Sequence, residues 1–216
     1  MKGIINFFAS KNIYVTKSLL HSKHKFKTPI SGDYIRVSTL ELCCNEIEER
    51  GIGGNMAEIG VYRGNFASRM NLIFPEKKLY LFDTFEGFSQ RDKQTELTKS
   101  FSTAEQDFSN TSINLVLSKM TTPDNCIIKK GFFPDTATDV SDKFCLVSID
   151  TDLYDPTLAG LHFFYPKLSR GGYIFVHDFN NEGYKGVKQG VLEFCQEQGI
   201  SYTPIADACG TVIITK

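Results

Sequence analysis

Short apolar runs, each followed by a longer segment of helical or mixed character, recur from residue 56 to the end of the chain, and they limit what it can fold into. MAEIG precedes the helix-like NFASRMNLIF, and KLYLFD precedes a polar stretch over 84–109. SINLVLSKM reads as helix and CIIKKG as a short strand; FCLVSID leads into PTLAGLHFFYPKL, and GGYIFVHD into GVKQGVLEFCQEQG. Strands apolar on both sides need cover on both sides, so the pattern predicts one doubly wound α/β domain around a mostly parallel sheet. SYTPIA and CGTVIITK close the chain as two strands with too little between them for a crossover helix, so an antiparallel last strand is expected. Upstream, STLELCCNEIEER places Leu40, Cys43, Cys44 and Ile47 on one helical face and stops at GIGG.

A chain of 216 residues is the right size for a single such domain. With a formal charge of −1 it lacks the basic surplus that a nucleic-acid backbone calls for, and no apolar run is long enough to span a bilayer. None of its six cysteines forms a C-x-x-C pair, which favours a reduced, cytoplasmic protein without a zinc site. Residues 1–35 read as a basic N-terminal arm ahead of a domain over 36–216. Lys2, Lys11, Lys17, Lys23, Lys25 and Lys27 occur there with no acid before residue 33. The arm is expected to pack on the domain or on a second subunit of a homo-oligomer. An anionic ligand or a membrane surface is the alternative. The 84–109 stretch is longer than usual for a strand-to-helix connection and reads as a lid.

The segment EIGVYRGNFA, at the carboxyl end of the first apolar strand, is where an open parallel sheet places its ligand. Gly60 permits a tight turn, and Gly64 lets the next helix start close to the sheet with free N–H groups near Asn65 and Phe66. The spacing is not G-x-G-x-x-G. Asp83 ends the neighbouring strand, where a carboxylate can accept both hydroxyl hydrogens of a ribose. Glu58 would repel a pyrophosphate and attract a sulfonium or ammonium, which points to S-adenosylmethionine and away from a nicotinamide dinucleotide.

A second constellation is acidic. FCLVSID ends in Asp150, and in extended chain Asp152 would share its side. Asp155 and Pro156 read as a helix cap and first turn. YIFV ends in His177 and Asp178, so two strand tips converge their charges. Clustered carboxylates need a positive partner, and oxygen ligands favour Mg²⁺; a metal-free acid–base cluster and simple capping are the alternatives. His177 is a candidate base, a candidate ligand, or the group that orients Asp178.

The blocks MAEIGVYRGNFASRM, LYLFDTFEGF, KKGFFPDT, VSIDTDLYDPTLAGLHFFYPKLSRGGYIFVHDF and GVKQGVLEF resemble, in order, those of the macrocin and mycinamicin O-methyltransferases, a family of class I S-adenosylmethionine-dependent methyltransferases. The resemblance covers roughly 53–200. It implies a Rossmann-like, seven-stranded sheet with a reversed last strand, and methyl transfer to a hydroxyl of a sugar or sugar-containing small molecule. It makes Glu58 and Gly60 part of the methionine end of the cofactor site and Asp83 the ribose carboxylate; Tyr62, Gly64, Asn65, Thr84 and Phe85 are expected to complete that site. It also implies Mg²⁺ held by Asp150 and Asp178; His177 is a further candidate ligand, and His177 or Asp152 is the expected proton acceptor. Where this chain has His177 and Asp178, the family's sugar enzymes tend to have two aspartates, which touches both the metal site and the base. Tyr154 and the lid would shape the acceptor pocket. The rival readings are a nicotinamide-dependent oxidoreductase, a metal-dependent hydrolase and a non-catalytic nucleoside-binding module.

Overall fold

The structure is a computed structural model that describes residues 2–11 and 34–216. A short helix, α1 (Lys2–Ala9), stands at the amino end. The rest of the basic arm, and with it the expectations placed there, lies outside the described residues. From α2 (Tyr34–Glu49) onward the elements follow the predicted alternation: β1 (Asn55–Ile59), α3 (Asn65–Ile73), β2 (Leu79–Asp83), α4 (Gln90–Lys99), α5 (Ile113–Leu117), β3 (Cys126–Lys130), β4 (Phe144–Ile149), α6 (Tyr154–Phe164), β5 (Leu168–Val176), α7 (Lys185–Gln198), β6 (Thr203–Pro204) and β7 (Val212–Thr215).

The strands form one seven-stranded sheet in the order β3-β2-β1-β4-β5-β7-β6. The five longer-range strands β1 to β5 are parallel, and β7 pairs antiparallel with both β5 and β6, as the short final connection requires. Successive side chains along a strand point to opposite faces, and the core divides accordingly. On one face Ala57, Ile59, Tyr80, Phe82, Val147 and Ile149 pack under Leu161 and Phe164 of α6 and Val191 and Phe194 of α7. On the other, Met56, Leu79, Leu81 and Leu146 meet Leu40 and Ile47 of α2 and Met70 of α3. Both sides being covered is why the strands read as unbroken apolar runs.

The chain leaves β1 towards β2 and β3, then returns to start β4 on the other side of β1. Strand order therefore reverses between β1 and β4, and the helices on either side diverge there to leave a cleft at the strand tips. The tips stay in register beyond the strands: the Gly60 N–H donates to the Phe82 carbonyl, Asp150 N–H to Ile59, and His177 N–H to Ile149.

Three local expectations change. The polar 84–109 segment contains a true helix, α4, whose cap Ser89 accepts from the Asp92 N–H, and which packs on α6. The helix expected over SINLVLSKM is confined to Ile113–Leu117. Asp155 does not cap α6: Leu153 holds that position, and the helix's first amide, that of Tyr154, instead donates to Glu96 of α4 at 2.8 Å. Among the described residues no helix is long and apolar enough to cross a membrane.

Candidate active site

A cavity of about 490 Å³ opens at the switch point, within the roughly 300–1,000 Å³ usual for small-molecule sites. Its floor is the row of strand tips carrying Glu58, Gly60, Asp83, Asp150, Asp152, His177 and Asp178. Its roof is aromatic. Phe108 packs edge-on against Tyr62 and Phe88, with ring centroids 5.1 Å and 5.0 Å apart, and Phe88 reaches Tyr184 at 6.1 Å. All four rings line the cavity, so the 84–109 segment covers the site through Phe88 and Phe108.

At the β1 end, Gly60 has φ +78°, and a Cβ there would lie 1.9 Å from the Asp150 carbonyl oxygen. Only glycine lets the β1 and β4 tips approach this closely. Gly64, at φ +71°, precedes the first turn of α3, and a Cβ there would press on Val116. Asp83 is fixed from both sides: one oxygen accepts from the Tyr62 N–H at 2.7 Å, the other from the Phe85 N–H at 2.6 Å. Each oxygen keeps a lone pair, and the carboxylate lines the cavity. Thr84 shapes the next turn, its hydroxyl donating to the Gly87 carbonyl. Of the expected cofactor residues, Tyr62, Asn65 and Thr84 line the cavity beside these; Gly64 and Phe85 do not, Phe85 being buried in the core under α2 and α3.

Glu58 is only 1% exposed. Burial, with repulsion from Asp150, raises its carboxyl to about 8, although Arg36, the Ser148 hydroxyl at 3.2 Å and the Ala67 amide offset part of this. Its Oε2 lacks a well-formed hydrogen-bond partner. A buried carboxylate oxygen left open at a cavity wall suits a ligand that brings its own positive charge. On this ground, together with the glycine-cleared tip and the lone pairs of Asp83, the residues present fit S-adenosylmethionine.

The β4 and β5 tips differ from expectation. Asp152 has φ +60°, so the chain past Asp150 is turned, not extended, and the two carboxylates do not alternate as strand neighbours. Asp150 is already paired. Arg36, from α2, places Nη1 2.8 Å from Asp150 Oδ2 and Nη2 3.2 Å from the Ser148 hydroxyl, with its guanidinium 3.9 Å from the Phe66 ring centre. His177 Nδ1 lies 3.2 Å from Asp150 Oδ1 and 2.7 Å from Asp178 Oδ2. Asn181 donates to the remaining Asp178 oxygen at 2.8 Å. Burial would raise the Asp150 carboxyl, but Arg36 and then His177 hold it well below the usual carboxylate range. Asp178 is lowered too, its burial outweighed by His177. Asp152, buried beside both, is pushed well above the ordinary value by desolvation and their negative charge. Burial disfavours the His177 cation, yet Asp150 and the hydrogen bonds to both carboxylates raise it to about 10.

The hydrogen bonds and negative charge of Asp150 and Asp178 favour the His177 cation, which works against its expected role as a free base. The carboxylates expected to need a metal have their positive partners within the protein, Arg36 and His177. Among the described residues, the ligand atoms close enough to share an ion belong to His177, Asp178 and Cys209, within 4.8 Å of one another, with a thiol in place of Asp150. An imidazole, a thiol and a single carboxylate do not suit Mg²⁺, which takes oxygen ligands. The site as built does not fit that ion. Tyr154 also stands apart: it is buried away from the cavity, bonded to Glu193 and packed on Phe101.

Two site residues escape a reading of the sequence. One is Arg36. The other is Asp92 of α4, 7% exposed and at the cavity wall, with Ser89 on Oδ2 and no partner for Oδ1. Burial raises it to about 6, with Asp155 and Glu96 adding to the rise and Ser89 opposing it.

A doubly wound sheet with a reversed last strand and a ligand cleft at the β1/β4 switch point is the Rossmann-like fold of class I methyltransferases, and solved enzymes of that class superpose on it. The O-methyltransferase NovP matches with a TM-score of 0.69 at 22% identity, over 84% of this chain and 79% of its own. The calicheamicin methyltransferase CalS11 gives 0.67 at 16% identity, over 83% and 78%. The chain belongs to the macrocin-O-methyltransferase (TylF) family, whose model matches residues 28–213. It is thus an S-adenosylmethionine-dependent methyltransferase. Similar proteins include the 8-demethyl-8-(2,3-dimethoxy-alpha-L-rhamnosyl)-tetracenomycin-C 4'-O-methyltransferase of Streptomyces olivaceus, 23% identical over 84% of this chain and 72% of that protein. The mycinamicin III 3''-O-methyltransferase of Micromonospora griseorubida is 24% identical over 77% and 70%.

Proposed function

We propose that this protein methylates a hydroxyl group on a sugar or sugar-containing small molecule, with S-adenosylmethionine as donor. The observation that carries this reading is the continuity of one cavity from Glu58 and Asp83 to the Asp150–His177–Asp178 cluster, which brings a cofactor end and a polar acceptor end under one aromatic roof. Relatives whose names place their chemistry on a rhamnosyl-tetracenomycin and on mycinamicin III support the acceptor class.

In this reading Asp83 accepts the ribose hydroxyls, Gly60 lets the cofactor lie against the β1 tip, and Tyr62, Asn65 and Thr84 border it. Glu58 faces the charged methionine end. The bound cofactor supplies an electrophilic methyl on a positively charged sulfur. The protein's part is to align the acceptor oxygen with that methyl and keep water away, which Phe88 and Phe108 of the lid do. Transfer of that methyl to the acceptor oxygen would leave the cofactor as a neutral thioether, and the hydroxyl proton would pass to a carboxylate of the protein. Asp92 is the candidate proton acceptor: with a value near 6 it is ionised at neutral pH yet holds a proton better than Asp150 or Asp178. His177, as a fixed donor between Asp150 and Asp178, orients the cluster.

Calorimetric titration with S-adenosylhomocysteine and, separately, with NAD⁺ tests the reading. Binding of the former alone is expected; binding of NAD⁺ alone would favour the oxidoreductase alternative.

A further inference from the structure

Arg36 reaches the cavity from α2, which packs on one face of the sheet, and lies 114 residues away in sequence from the carboxylate it meets. It is held on three sides, by Asp150, by the Ser148 hydroxyl and by the face of Phe66. The residue is 6% exposed and still borders the cavity. A guanidinium is charged at every pH a protein survives, and its planar fork matches a carboxylate and a neighbouring acceptor together. A divalent ion bound to Asp150 would have to share that oxygen pair with Arg36 on one side and His177 on the other.

We propose that Arg36 is an internal counter-cation standing where a divalent metal would otherwise be required, so that this enzyme positions its acceptor and transfers the methyl group without a metal. The proposal rests on the methyl-transfer reading above. Arg36 acts as a positioning residue: by fixing Asp150 Oδ2 it leaves Oδ1 to hold the His177 ring, and the ring's Nδ1 in turn holds Asp178 Oδ2. His177 Nε2 makes no hydrogen bond within the described residues, and the ring borders the cavity, so this second nitrogen is the one left to meet an acceptor oxygen. The charges of Arg36 and Asp150 cancel, which removes the attraction that would draw a hard cation to the β4 tip.

The test is a titration of the full-length protein with Mn²⁺ and Mg²⁺, read by calorimetry and by the Mn²⁺ paramagnetic resonance signal, with S-adenosylhomocysteine binding measured on the same samples. The wild-type protein is expected to show no saturable divalent site at millimolar metal, with homocysteine-cofactor affinity indifferent to chelator. Arg36→Met keeps bulk and removes charge; it should tighten Mn²⁺ binding by roughly a hundredfold, since one repelling charge a few ångströms away is lost. That gain should disappear in Arg36→Met with Asp150→Asn, and Arg36→Lys should behave as wild type. If Arg36→Met does not fold, Arg36→Gln carries the test, because it removes the charge while keeping a hydrogen-bond donor towards Asp150 and should likewise create a divalent site. A single saturable Mg²⁺ site in the wild type, lost in Asp150→Asn, would overturn the proposal. So would a folded Arg36→Met or Arg36→Gln protein that gains no metal affinity. A wild-type protein that ignores S-adenosylhomocysteine would count against the methyl-transfer reading instead, which the metal titration alone does not probe.

Discussion

The tips of β1 and β2 form their part of the cavity from backbone: a glycine that admits a close approach, a helix start, and an aspartate pinned by two main-chain N–H groups. The tips of β4 and β5 form theirs from charge, with two carboxylates, Asp150 and Asp178, paired to Arg36 of α2 and to His177 just past the end of β5. The cofactor end is rigid because few conformations satisfy its sterics. The acceptor end is rigid because each charge has a counterpart.

The sharpest way to break this contrast is Gly60→Ala. A methyl group 1.9 Å from the Asp150 carbonyl cannot be accommodated without separating the strand tips. A loss of about 3 kcal/mol or more of stability is expected in denaturant unfolding, and cofactor binding should go with it. Substitutions at the acceptor end should instead leave the donor end intact. Asp92→Asn is expected to lower methyl transfer to a glycoside acceptor by about a hundredfold, with S-adenosylhomocysteine affinity unchanged in calorimetry. In the wild type the rate should rise with pH through about 6 as Asp92 ionises; a flat profile would remove Asp92 as proton acceptor. Asp83→Asn probes the donor end more gently, and about a tenfold loss of S-adenosylhomocysteine affinity is expected for one weakened charge-assisted hydrogen bond. The smallest effect concerns pH and stability. Glu58 and His177 both have folded values above their ordinary ones, about 8 against 4.5 and about 10 against 6.5. Each therefore favours the folded state fully below its ordinary value, a contribution lost as pH rises through the folded one. The melting temperature should fall by a few degrees between pH 6.5 and pH 10; a rise over that interval would mean the cluster is not compensated as described.

Much of the fold was legible because its signals are local. The apolar runs marked all five parallel strands, and the first glycine of EIGVYRGNFA and the terminal aspartate of KLYLFD marked the β1–β2 side of the cavity, since backbone conformation is written in neighbouring residues. The acceptor end was legible only as a list of charges. Nothing near Arg36 in sequence signals that it would be carried to Asp150; only tertiary packing of α2 on the sheet decides it. Asp152 misled because an alternation rule holds in a strand and the strand ends at Ile149, before it. Helix α4 lacks an apolar stripe, so periodicity missed it, yet Ser89 and Asp92 have the spacing of a helix-capping box, a signal that could have found both the helix and the buried carboxylate.

Glu96, fully buried, ties α4 to its surroundings. One oxygen receives the Tyr154 amide at 2.8 Å, the other the Ser102 hydroxyl at 2.5 Å, and its Oε1 leaves no room for a side chain at Gly186. The cover over the site is therefore riveted along its rear edge to two helices of the main body. Swinging it away as a unit would strand a carboxylate and unfasten the start of α6, whereas at the forward rim only ring edges meet, Phe108 against Tyr62 and Phe88, like a latch instead of a hinge.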